Sequence, residues 1–167
     1  FKITKLKKIV EKAKLDYDVI VIDSAPGLGR EALASIEACD ECLIISTPLL
    51  PSIMDVLRVK EVLRGFPDKS YKLIINMMER KEYELKLREI ENFTGLKIFG
   101  VIDYDEKVVR SVSTGELAVV KFPYSSFSRR VKDIAFRLVS PHFPIEKKSN
   151  WLDFLFSLAE KIRLHRR

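Results

Sequence analysis

Glycine is scarce in this chain, with six residues in 167. None of them lies in a G-x-x-x-x-G-K-[ST] run, so the sequence holds no phosphate-cradling loop of that pattern. Cysteine is limited to Cys39 and Cys42, and histidine to His142 and His165, far along the chain. One C-x-x-C pair with no second pair leaves a zinc or redox centre incomplete. The two cysteines therefore read as small apolar residues buried where a helix ends and a strand begins. Unpaired thiols fit a reducing, cytoplasmic setting. No apolar run reaches the ~18 residues of a membrane span. The chain opens on Phe1 rather than Met, so a start inside a longer protein is expected.

What is present is globular: 47% hydrophobic and 32% charged residues. The net charge of +6 suits an acidic partner, either nucleic acid or an anionic membrane surface. Four short apolar runs read as strands buried on both faces: 19–22, 43–46, 73–75 and 98–102. Helical patterns over 2–14, 31–38, 52–64, 83–93, 105–112 and 126–139 separate or follow them. Ser52 is the expected N-cap of the third helix and Gly65 its stop, while Thr94-Gly95 closes the fourth. Strands alternating with helices predict an α/β fold, a mainly parallel sheet with helices on both faces. Pro141 to Pro144 marks a boundary. The expected organisation is a domain over 1–140, a linker over 141–149 and an amphipathic basic helix over 150–167.

In open parallel sheets, ligands sit beyond the C-terminal strand ends. Here those ends are Asp23, Thr47-Pro48, Asn76 and Asp103. Asp23 is able to cap the next helix or to hold Mg²⁺ through water. Pro26-Gly27 lets backbone approach a phosphate, since Gly27 has no Cβ in the way. Met77-Met78 read as packing. The charge run Glu79 to Glu82 reads as a solvated loop or a helix start, and the lysines of 2–14 as the wet face of a covering helix. No aromatic residues interleave with those lysines, so DNA is the weaker partner expectation.

At these residues the chain resembles the MinD/ParA-type P-loop ATPases. VIVIDSAPGLGREAL is similar to the strand and switch II segment of that family. Ile45-Ser46-Thr47-Pro48 with Ser52 to Asp55 resembles its Thr/Asn-Pro turn and the helix that follows. Leu73 to Asn76 resembles the strand whose terminal Asn reads adenine. Phe99 to Asp105, with Ser113-Thr114-Gly115 and Val119-Val120, resembles the segment that closes over the base. Two departures stand out: Asp103 replaces a usual Pro, and the Walker A loop is absent.

The resemblance implies bound ATP or ADP with Mg²⁺. It gives Asp23 the metal shell and the catalytic role, Pro26 and Gly27 the γ-phosphate, and Asn76, Asp103 and Asp105 the base. Asp55 is a switch contact or a surface charge. The implied partners are an N-terminal half of the same ATPase carrying Walker A, and a second copy in an ATP-dependent dimer. In the family, the strand before Walker A lies between the strands matching 19–22 and 43–46, so both are expected to have unpaired inner edges here. A degenerate, non-hydrolysing partner-binding module is the alternative. In the tail, Trp151, Phe154, Leu155, Leu158 and Ile162 share a helical face followed by Lys161, Arg163, Arg166 and Arg167. The expectation is peripheral contact with an anionic membrane, or docking on protein.

Overall fold

In the computed structural model, residues 3–141 are described. They form two compact units divided after Tyr104. The first holds α1 (Ile3–Ala13), α2 (Arg30–Ala38), β1 (Glu41–Ser46), α3 (Leu50–Leu63), β2 (Ser70–Met78), α4 (Leu87–Thr94) and β3 (Ile98–Asp103). The second holds α5 (Glu106–Ser113), α6 (Ala118–Lys121) and α7 (Ser126–Val139). The tail residues Trp151, Phe154, Leu155, Leu158 and Ile162 lie outside the described residues. Among those described, no helix is long and apolar enough to cross a membrane.

The sheet runs β1-β2-β3 with both pairings parallel. Parallel neighbours need a crossover, and α3 and α4 supply the two. Ile44, Leu73 and Ile75 point from the sheet into one cluster with Ile36 of α2, Ile53, Val56 and Leu63 of α3, and Ile90 of α4. Leu73, Ile75 and Ile90 are fully buried there. The α/β class read from the alternation is the class observed.

One expected strand is not formed. Residues 19–25 take no regular structure, and Val21 is 88% exposed. A strand gains its hydrogen bonds from a neighbour, and no described strand lies beside this one. β1 pairs with β2 on one side only. Its burial alternates, with Ile44 and Ser46 inside and Leu43 and Ile45 exposed, so it is not covered on both faces as the sequence suggested.

Helix limits moved for local reasons. α3 begins two residues before Ser52, because Pro51 is tolerated in a first helical turn. Ser52 is therefore not its N-cap; its hydroxyl instead accepts a 2.8 Å hydrogen bond from Thr47. α4 begins at Leu87 rather than 83, since Glu84 folds back onto the preceding turn. Cys39 is the C-cap of α2 and Cys42 the second residue of β1, both half-buried rather than buried, and burial pushes the Cys42 thiol up to about 11. Among the described residues no group of three or more His, Cys, Asp or Glu is placed to hold a metal.

Gly95 terminates α4 with φ +64°, a left-handed cap. A Cβ there would stand 3.0 Å from Lys60 Nζ, which donates to Thr94 O at 2.6 Å. Gly95→Ala is expected to cost about 1–2 kcal/mol, from the left-handed backbone and the displaced lysine. Urea unfolding checks this: the midpoint should fall with an unchanged slope.

Candidate functional site

β2 and β3 bring Asn76 and Asp103 to the same end of the sheet. Asp103 closes β3 beside Met78, and Tyr104 N–H donates to Met78 O at 3.1 Å. The β2–β3 pairing is irregular between Ile75 and Met78, so Asn76 falls where the ladder lapses. Its Oδ1 accepts from Met77 N–H at 3.0 Å. That bond fixes which way the amide faces: the oxygen is anchored, and the NH₂ group remains a donor.

The end of β2 and the turn that follows it are tightly built. Met77 and Arg80 both carry positive φ, +60° and +61°. Glu84 accepts from Glu79 N–H at 3.1 and 3.2 Å and from Lys81 N–H at 3.1 Å. Leu85 N–H donates to Pro48 O at 2.9 Å, tying the turn to the end of β1. Arg80 pairs with Asp103 at 2.8 Å. The sequence suggested a solvated loop or a helix start for this charge run. The signal it held was opposite charges at 80 and 103, at two strand ends that the parallel topology makes neighbours. Met78 packs in the core as expected, whereas Met77 is 49% exposed.

Asp23, Pro26 and Gly27 lie together on an exposed irregular segment that leads into α2. Asp23 is not at a strand tip, because residues 19–22 form no strand. Gly27 has φ +83°, and nothing lies within 4 Å of where a Cβ would stand. Its backbone is thus open to a close approach. A single exposed carboxylate and an open glycine fit water-mediated contact with Mg²⁺ and a phosphate oxygen. Asp55 pairs with Arg58 at 2.8 Å on the outer surface of α3. Asp105 lies in the second unit, where its side chain caps α5 by accepting from Lys107 N–H at 3.0 Å.

No family model matches the chain. It is 30% identical over 147 residues to the septum site-determining protein MinD of Thermotoga maritima, covering 84% of this chain and 54% of that protein. It is 24% identical over 158 residues to an uncharacterized ATP-binding protein of Methanocaldococcus jannaschii, covering 93% and 60%. Its fold is similar to that of the Pyrococcus horikoshii MinD complexed with Mg-ADP, with a TM-score of 0.78, 22% identity, and coverage of 88% and 60%. The chain thus spans 54–60% of the length of these two curated relatives. It is similar in sequence to MinD and to an ATP-binding protein, and its parallel α/β fold is that of the MinD/ParA-type P-loop ATPases.

Proposed function

We propose that this chain is the C-terminal portion of a MinD/ParA-like ATPase that binds Mg-ATP, hydrolyses it slowly, and uses the nucleotide state to switch dimerisation and localisation. The observation that carries this reading is the anchored Asn76 at the C-terminal end of a parallel strand. Adenine offers an acceptor, N7, beside a donor, N6–H₂, and an amide with one free NH₂ and a remaining carbonyl lone pair matches that pair. Guanine offers two acceptors there and meets the amide oxygen badly. In this reading Asp23 orders the water shell of Mg²⁺, and Gly27 turns its N–H toward the terminal phosphate. Asp103, held by Arg80, lies beside the base, and Asp105 is a base contact that the resemblance alone suggests. A separate segment supplies the phosphate-gripping loop and pairs with β1. Catalysis is then positioning and charge stabilisation, the general pattern of phosphoryl transfer.

Asn76→Ala in the intact protein is expected to weaken ATP by about 1–2 kcal/mol, the cost of an unpaired base edge. The ATP-over-GTP preference should fall with it. Calorimetric titration with both nucleotides checks this, and equal affinities in the unmutated protein would sink the reading.

The absence of a G-x-x-x-x-G-K-[ST] run favours a second reading, a non-hydrolysing module that keeps the sheet for partner binding. Titrating the 167-residue chain alone with Mg-ATP bears on both. Micromolar affinity would show that no further segment is needed for the phosphate grip. For the tail we propose peripheral binding to anionic membrane, with a dimer presenting two tails at once. Vesicle flotation of the intact protein should be lost on truncation after Ser149 and weakened by salt. A protein that never floats but melts earlier once truncated would assign the tail to protein packing.

A further inference from the structure

We infer that Arg80 is a positioning residue for Asn76, setting base preference through its ion pair with Asp103; this rests on the nucleotide-binding reading above. The irregular end of β2 and the turn after it hold two long side chains, Met77 and Arg80, in left-handed backbone at φ +60° and +61°. Residues other than Gly, Asn and Asp take that conformation rarely, and they hold it only where the surroundings fix it. Three ties do so here. The Glu84 carboxylate brackets Arg80, accepting from Glu79 N–H on one side and Lys81 N–H on the other. Leu85 N–H ties the far end of the turn to Pro48 O at the end of β1. The Arg80 guanidinium reaches Asp103 at 2.8 Å, at the end of β3.

The sheet does not itself fix Asn76, because the β2–β3 pairing lapses between Ile75 and Met78. The amide is oriented by Met77 N–H, and Met77 stands in left-handed backbone at the irregular end of β2, which runs straight into the turn. Arg80 therefore acts on the amide through the turn. Its guanidinium also neutralises a carboxylate that would otherwise stand at the strand end beside the base. The Arg80 side chain is 62% exposed and that of Asp103 20%. Such a pair contributes little to global stability, so its effect is geometric.

The test measures affinities of non-hydrolysable ATP and GTP analogues, with Mg²⁺, for the intact protein. Arg80→Ala is expected to lower the ATP-over-GTP ratio at least ~5-fold, and Asp103→Asn similarly. The double variant should be no worse than either single one, as for two ends of one interaction. Arg80→Lys should fall between, because it keeps the charge and loses the planar fork. The thermal midpoint should move by less than ~4 °C in each. An unchanged ratio in Arg80→Ala, while Asn76→Ala collapses it, would overturn the inference and leave the nucleotide reading intact. Additive effects, or a ratio that falls only alongside a large loss of melting temperature, would also overturn it. An intact protein with no preference between the two analogues would remove both the reading and this inference.

Discussion

Asp23→Ala in the intact protein is expected to lower ATP turnover by at least ~10²-fold, the usual scale for losing one preorganised charged group at a phosphoryl-transfer site. The argument is one of contrast between folding and function. Asp23 is exposed on an irregular segment and makes no ion pair among the described residues. Removing an exposed carboxylate with no structural partner should change stability by no more than about 0.5 kcal/mol. An acidic residue that the fold does not use, four residues before a glycine at φ +83°, is free to act on a ligand. Asp23→Asn separates charge from shape. If the carboxylate orders metal-bound water, the amide should be nearly as impaired as alanine, with ATP binding reduced less than turnover. Steady-state hydrolysis and equilibrium binding, measured on the same preparations, decide it. Unchanged turnover would remove Asp23 from the site, and a large melting shift would make it structural.

Local pattern disclosed most of this fold. β2, β3, α5 and α7 follow their apolar periodicity within a few residues, whereas the short α6 was not foreseen. The run 19–22 failed for a reason that periodicity does not contain. Val19 to Ile22 has the composition of a buried strand, yet a ladder needs a partner strand. The resemblance had anticipated unpaired edges at 19–22 and 43–46, and β1 does form with one side open. The start of α4 was misjudged because Glu84 looks like a helix residue. Its carboxylate is worth more as an acceptor for two backbone N–H groups of the turn. At the site, Asn76 and Asp103 were legible as strand ends. Arg80 was not, since its meaning depends on a left-handed backbone and on a strand neighbour 23 positions on. Asp105 shows the opposite case: a residue that the resemblance sends to the base is occupied in capping α5.

Introducing lysines at Leu43 and Ile45 is expected to have effects of opposite sign in two settings. In the 167-residue chain, Ile45 is 62% and Leu43 38% exposed on the face of a strand with one open side. Such a surface promotes self-association, and lysine is a residue that natural sheets use against it. Light scattering by the isolated chain should therefore fall in Leu43→Lys/Ile45→Lys. In the intact protein, the proposed phosphate-loop segment covers this surface. Completing the burial of Ile45 contributes about 1–2 kcal/mol there, and that of Leu43 somewhat less. The two lysines forfeit both terms and bring two charges to a site where water is excluded, at a further cost of several kcal/mol unless they swing out. The intact variant should lose at least ~3 kcal/mol of stability in urea unfolding, with weaker ATP binding as the two parts separate. Replacement by valine keeps the apolar face and should lose far less. A double-lysine variant that is equally stable in the intact protein would show that nothing covers this face of β1, and with it would fall the proposal that the further segment buries Leu43 and Ile45.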